Sequence, residues 1–232
     1  MTNHRLQALL KPSSIAILGA SQKSGSVGNE VIKNLLRGGF EGEIFGVNPG
    51  YVEVEGILCY PSLAQLPKCP QHVIFAINDH RIEAALDEVV SIGIPACTIF
   101  SALIISDDST PNLKQRIATK AQDAGLLVAG ANGMGFYNVR DRVLAGGFDT
   151  RDHPYPGNVT LISQSGAGMS GIVDCERRIQ FNFAVSSGYE LTVSMEDYLD
   201  YALDLPETRV VGLFLETSRH PEKLIKAFKK AN

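Results

Sequence analysis

The sequence predicts an α/β protein: a Rossmann-type doubly wound parallel sheet followed by a partial flavodoxin-like α/β unit. Three observations carry that expectation. Short apolar runs recur as nearly continuous hydrophobic stretches, the pattern of strands covered by helices on both faces. Stretches with helical spacing lie between them. A glycine-rich turn follows the first run and opens the first helical stretch, where open α/β sheets carry their ligand loops.

The elements follow in order. Ser14–Leu18 (SIAIL) reads as the first strand. After the glycine-rich turn, Val27, Val31, Ile32, Leu35 and Leu36 recur at helical spacing, and Gly38-Gly39 supply a stop. Glu43–Val47 is a second strand, closed by the turn signal Asn48-Pro49-Gly50. His72–Ile77 is a third, and Ile82, Ala85, Leu86, Val89 and Val90 give a helix ending at Gly93. Pro95–Phe100 is a fourth strand. The next helix is expected to take Thr110 as N-cap and Pro111 at its first position. Leu126–Ala129 is a fifth strand.

The pattern then breaks. Thr150–Asn158 holds two prolines, a glycine and several charges, and reads as a linker. The expected division is 1–149, 150–158 and 159–232. The second unit restarts with Val159–Ile162, the turn SQSGAG and a helix to about Arg178. Asn182–Ser186 is its second strand. Ser194 with Asp197 three residues on predicts a capping box for the next helix. Val210–Leu215 is a third strand, and Pro221 begins a last helix with Leu224, Ile225 and Phe228. Three βα units leave Val210–Leu215 as an apolar sheet edge, an aggregation hazard unless something covers it. This unit therefore reads as incomplete, with cover of the edge by another chain or by the last helix as the alternatives.

Composition narrows the function classes. The 232 residues carry 21 Lys+Arg and 25 Asp+Glu, a net charge of −4, with no basic arm or stripe for nucleic acid. Cys59, Cys69, Cys97 and Cys175 form no CxxC pair and no zinc-spaced cluster, so no metal site is expected. The N-terminal stretch lacks the apolar core of a signal peptide, and no run is long and apolar enough to span a bilayer. A cytoplasmic location with no membrane partner is the expectation.

Chemistry concentrates in Gly19-Ala20-Ser21-Gln22-Lys23-Ser24-Gly25-Ser26-Val27-Gly28. Glycines let the backbone turn sharply and approach a ligand closely. A helix N-terminus offers free N–H groups and a positive dipole end to a phosphate. A dinucleotide fold usually reads G-x-G-x-x-G, with an acidic residue about 20 positions on for the ribose. Here the spacing is longer and the second strand ends in Val47-Asn48-Pro49; Glu53 and Glu55 come only later. The residues alone leave the cofactor open between a nicotinamide dinucleotide and another phosphate-bearing nucleotide.

The run SIAILGASQKSGSVGNEVIKNLLRGGFEGEIFGVNPGY resembles the start of the CoA-binding domain of NDP-forming acyl-CoA synthetases, relatives of the succinyl-CoA synthetase alpha subunit. CYPSLAQLP, IFSALI, GANGMGFYN, PGNVTLISQSGAGM and the strand ending in FLET follow in the family's order, so the likeness covers nearly the whole chain. It implies that the first domain holds coenzyme A along its C-terminal strand ends. The matching positions are Gly19, Ala20, Ser21, Lys23, Gly25, Ser26 and Val27; Val47, Asn48 and Pro49; Ile77 and Asn78; Ser101 and Ala102; and Asn132. It also implies that Ser165 and Gly166 form the helix start that steadies a phosphorylated histidine, and that Glu216 contacts that histidine. A serine hydroxyl and free amides at a helix start suit a phosphoryl group.

The chain departs from the family in several places. Gly50 stands where relatives often carry a lysine near CoA phosphate, Asn78 where they often carry proline, and Ala131-Asn132-Gly133 where they often read Pro-Asn-Cys. The nucleophilic histidine is absent: His4, His72, His80, His153 and His220 all lie outside any Ser/Gly-His-x-Gly turn. The resemblance implies an enzyme that joins a carboxylic acid to CoA using ATP or GTP, with nucleotide and Mg²⁺ held by an ATP-grasp partner subunit or domain. This chain would be its CoA-binding part, poorly competent alone, with oligomer formation left open. A non-catalytic CoA-sensing module and an NAD(H)-binding Rossmann protein are the alternatives.

Overall fold

In the computed structural model, which describes residues 4–231, the chain forms a seven-stranded and a five-stranded sheet. A short helix α1 (Gln7–Leu10), missed in the sequence, precedes β1 (Ser14–Leu18) and buries Leu9 and Leu10. Helix α2 (Val27–Gly38) leads to β2 (Glu43–Val47). It ends at Gly39 in the left-handed region, where the Gly39 and Phe40 amides bond back to Leu36 and Leu35 carbonyls, a Schellman stop.

Strands β3 (Glu53–Val54) and β4 (Ile57–Tyr60) form an antiparallel hairpin turned by Glu55 (φ 51°) and Gly56 (φ 79°). Two consecutive positive φ values are the requirement of a two-residue hairpin turn, here met without the usual Asn-Gly signal. The sheet continues with β5 (His72–Phe75), helix α3 (Asp79–Ile92), β6 (Ala96–Ile99), helix α4 (Leu113–Asp123) and β7 (Leu127–Gly130). The N-cap of α4 is Asn112 rather than Thr110. Asn112 Oδ1 accepts from the Gln115 amide at 3.0 Å while Gln115 Oε1 accepts from the Asn112 amide at 2.9 Å, and this reciprocal box fixes the start.

The order is β3-β4-β2-β1-β5-β6-β7. Its parallel core, β2-β1-β5-β6-β7, has the doubly wound order expected. Ile15 and Ile17 point to one face, packing with Val31, Ile32 and Leu35; Ala16 and Leu18 point to the other, with Phe75, Ile82, Leu86 and Ile117. Burial on both faces is why these strands read as continuous apolar runs.

The second sheet joins β8 (Gly135–Asn138), β9 (Val143–Gly146), β10 (Val159–Ser163), β11 (Phe181–Ser186) and β12 (Val210–Phe214), with helices α5 (Gly166–Cys175), α6 (Met195–Leu203) and α7 (Pro221–Ala231). Its order is β12-β10-β11-β8-β9. The β8–β9 hairpin pairs antiparallel with β11, so this sheet begins ahead of the expected division at 149. The hairpin closes the outer edge of β11. Helix α2 of the first unit packs on β9, and one core runs through both units.

At the other edge β12 pairs with β10 alone among the described residues, with Val210 56% and Phe214 47% exposed. The expected linker is pinned: Arg151 Nε donates to the Val173 carbonyl at 2.7 Å and Thr150 Oγ1 to Asp174. The expected box at Ser194 forms, with Asp197 Oδ2 accepting from the Ser194 amide at 3.0 Å. No helix among the described residues is long and apolar enough to cross a membrane.

Candidate functional site

Parallel strands running β2-β1-β5 reverse their winding at β1. The crevice outside the C-terminal ends of β1 and β5 is thus a topological switch point, where such sheets bind ligands. Gly19 sits in it, with φ +98° and a carbonyl neighbour that admits no side chain: a Cβ would stand 2.3 Å from the Ala76 oxygen. A Cβ on Gly28 would stand 2.1 Å from the Gly19 oxygen, so the first turn of α2 lies against the tip of β1.

The loop between them is held open by its surroundings. Glu30 Oε1 accepts from the Gly25 amide at 3.0 Å, Asn29 Nδ2 donates to the Ser21 carbonyl at 3.0 Å, and Asn48 Nδ2 donates to the Ala20 carbonyl at 2.8 Å. Ser26 Oγ is turned back onto the Lys23 carbonyl and does not cap α2. The Val27 and Gly28 amides find no acceptor among the described residues. Free amides over a glycine floor fit a phosphate-bearing ligand. Asn29 and Glu30, the side chains that shape this loop, were missed in the sequence because they resemble ordinary helix residues.

The remaining candidates continue along the same edge. The Asn48 amide bonds to the Tyr60 carbonyl at 2.9 Å, and Asn48 Oδ1 accepts from the Gly50 amide at 2.9 Å; Pro49 is exposed. Ile77 is half-buried and Asn78 exposed at the start of α3. The Asp79 carboxylate accepts the Leu103 and Ile104 amides, both at 3.2 Å, and so holds the loop after Ser101 and Ala102. Ser101 Oγ is buried with no partner among the described residues, and the Ser101 carbonyl accepts from the Asn132 amide at 2.8 Å. A cavity of about 740 Å³ lies at the opposite end of the strands, beside Ser13, Glu43 and Gln71, and contains none of these residues.

The turn after β7 joins the two units. The Tyr189 amide bonds to the Ala131 carbonyl at 2.7 Å, and the Leu191 amide to the Gly130 carbonyl at 3.2 Å. Ser186 Oγ, buried and without a partner among the described residues, stands near both Gly133 and Gly166. Asn132 at the end of the first edge is thereby brought close to the start of α5.

In the second sheet the parallel trio β11-β10-β12 reverses at β10, so the Gln164-Ser165 turn sits at its own switch point. Ser165 Oγ accepts from the Gly168 amide at 3.1 Å and caps α5. Gln164 ties this turn to Glu216: its Oε1 accepts from the Glu216 amide at 2.7 Å and the Thr217 amide at 2.9 Å. Ser165, Gly166 and Glu216 are therefore neighbours across adjacent strand ends, and the Glu216 side chain is exposed. Gln164 Nε2 donates to the buried Glu190 carboxylate at 3.0 Å. Neither Gln164 nor Glu190 was singled out in the sequence; Glu190 carries only the weak signal of following Ser-Ser-Gly-Tyr.

The histidines occupy other places. His72 is fully buried, hydrogen-bonded to Thr98 at 2.9 Å, and burial lowers its pKa to about 3. Burial, then the neighbouring Arg151 charge, lowers that of His153 to about 4. His4 meets Asp200 at 3.4 Å, His80 is exposed in α3, and His220 precedes α7.

Residues 13–138 match the family model described as a CoA binding domain, and residues 156–232 match the succinyl-CoA ligase like flavodoxin domain. The chain belongs to the NDP-forming acyl-CoA synthetase family. Among its relatives in this family, an ADP-forming acetate–CoA ligase of Methanocaldococcus jannaschii is 29% identical over 98% of this chain and 32% of that protein. A trans-feruloyl-CoA synthase from an unknown prokaryotic organism is 29% identical over 100% of this chain and 34% of its own length. The alpha subunit of an ADP-forming acetate–CoA ligase I of Pyrococcus furiosus is 27% identical over 98% of this chain and 50% of that subunit. The chain thus spans a third to a half of these acyl-CoA synthetases. The solved acetyl-coenzyme A synthetase 1 of Ca. Korarchaeum cryptofilum, in complex with phosphate and ADP, superimposes with a TM-score of 0.87 at 26% identity, over 97% of this chain and 49% of that one.

Proposed function

We propose that this chain is the CoA-binding part of an NDP-forming acyl-CoA synthetase, which joins a carboxylic acid to CoA at the expense of ATP or GTP. One observation carries the reading. The glycine floor at the switch point is continuous, through Ser101 and the Asn132 turn, with the start of α5 and with Glu216. A long ligand with phosphates at one end and a reactive group at the other matches a site of that shape.

Within it, the Gly19–Gly28 amides take the phosphates of CoA. Val47, Asn48, Pro49, Ile77, Asn78, Ser101 and Ala102 line the path of its arm, and Asn132 stands at the thiol end. Ser165 and Gly166 receive a phosphoryl group, and Glu216 faces the group that carries it. The phosphorylated histidine, the acid and the nucleotide with its Mg²⁺ belong to an ATP-grasp partner and to protein outside these 232 residues. The exposed edge at β12 is where more of the second unit would pair. The same reading places the protein in the cytoplasm, where CoA and nucleoside triphosphates are held.

Calorimetric titration with CoA, dephospho-CoA and NAD tests the ligand. CoA binding tighter than NAD is expected; tighter NAD binding would overturn the reading. Adding an ATP-grasp partner together with the segment that carries the phosphorylated histidine should produce acyl-CoA from acid, CoA and ATP, whereas CoA binding with no turnover in any such mixture would favour a CoA-sensing module.

A further inference from the structure

Glu190 is a buried carboxylate whose partners come from both sides of the junction. Its side chain has no solvent exposure, yet it accepts from Gln164 Nε2 at 3.0 Å, Ser187 Oγ at 2.7 Å, the Met195 amide at 3.2 Å and Arg219 Nε at 3.0 Å. Its backbone has φ +56°, a conformation that side-chain-bearing residues hold only when their surroundings impose it. On one side, Tyr189 and Leu191 bond to the turn that carries Asn132. On the other, Gln164 holds the Glu216 and Thr217 amides through its Oε1, and the Thr217 carbonyl at 2.8 Å through its Nε2. Arg219 closes the circuit from the far end of the Glu216 loop.

We infer that Glu190 is a positioning residue, which acts through Gln164 and Arg219 to fix Glu216 against the start of α5 and in register with the Asn132 turn. Four donors on one buried carboxylate leave it no freedom, so the Gln164 amide group is locked in one orientation. That orientation presents its oxygen to the Glu216 loop and its nitrogen to Glu190. Without the carboxylate, Gln164 keeps its bonds to Glu216 and Thr217 but loses its anchor to the buried side of the junction, and Arg219 loses the carboxylate that draws the loop inward. The role rests on the reading of Glu216 proposed above, but the fixing of its backbone is testable without that reading.

Amide hydrogen exchange on the full chain, read by NMR, gives the test. Glu190→Gly keeps a residue content with positive φ and removes the carboxylate; Glu190→Gln keeps the shape and removes the charge. Exchange at Glu216 and Thr217 should quicken about tenfold in Glu190→Gly, and to a smaller extent in Glu190→Gln. Exchange in β1 and the CoA dissociation constant should stay unchanged. In the assembly with an ATP-grasp partner and the segment that carries the phosphorylated histidine, Glu190→Gln should lower kcat for acyl-CoA formation while leaving KM for CoA unchanged. Unchanged protection at Glu216 and Thr217 in both variants would overturn the inference, as would acceleration shared equally with β1. A wild-type assembly with no turnover would count against the enzyme reading alone, because the exchange result still decides the role of Glu190.

Discussion

Met134 rests on Gly166: a Cβ at position 166 would stand 2.7 Å from Met134 Cγ. The first residue of α5 must be glycine for the turn that carries Asn132 to sit on the helix start. Gly166→Ala should cost about 1–3 kcal/mol through overpacking. Pairing it with Met134→Ala should recover part of the loss, because the two changes share one contact. Urea unfolding of the single and double variants checks this; strict additivity would show that the two residues do not meet.

Gly19→Ala should abolish measurable CoA binding. The methyl group would collide with the Ala76 carbonyl, in backbone that L residues rarely adopt, and the loop would have to shift away from the crevice. Calorimetry reads the binding, and circular dichroism verifies that the fold survives.

Gly50→Lys should tighten CoA binding by about tenfold, or about 1.4 kcal/mol. Position 50 adjoins the Asn48 turn at the end of β2, and a Cβ there meets only Asn48 Oδ1, at 3.3 Å. The gain should fall with added salt, because it comes from an exposed charge on a phosphate. A gain equal for CoA and dephospho-CoA would place the new ammonium away from the 3′-phosphate.

Ser186→Ala should leave stability unchanged or raise it by about 1 kcal/mol, since it removes a buried hydroxyl that has no partner among the described residues. The measurement is the urea midpoint of the chain without ligand. A loss of more than about 1 kcal/mol would mean that the hydroxyl is satisfied in the free protein.

Stability should fall with acid because two histidines, His72 and His153, refuse a proton in the folded chain. Burial lowers the His72 pKa from 6.5 to about 3. The unfolded chain therefore binds a proton near pH 6.5 that the folded chain refuses until near pH 3. Stability from this residue is complete above pH 6.5 and falls as pH drops below it, by up to roughly 1.4 kcal/mol per pH unit. Denaturant unfolding between pH 7 and pH 5 should show the slope; His72→Gln should reduce it, and the part that remains should come from His153, whose pKa is lowered to about 4.

The parallel core was legible in the sequence because its strands are buried on both faces and its glycines punctuate them. The apolar runs of β1, β5 and β6 and the stops at Gly39 and Gly93 are local chemistry. So is the Gly19–Gly28 loop, whose spacing already implies a close backbone approach. The β8–β9 hairpin was not legible as part of the second sheet, because its partner β11 lies more than 30 residues along the chain and pairing carries no local signal. The N-cap of α4 turned on which of several polar residues found a reciprocal partner, and only the fold chose Asn112.

The sequence by itself therefore determined the α/β class, the glycine floor and the apolar edge at β12, all set by backbone sterics and hydrophobic pattern within a few residues. The tertiary structure alone decided that Asn132, Gly166 and Glu216 gather at one junction, and that Gln164 and Glu190 hold it. Those contacts join strand ends from two sheets, and a buried carboxylate such as Glu190 differs from a surface one only in the partners that folding brings to it.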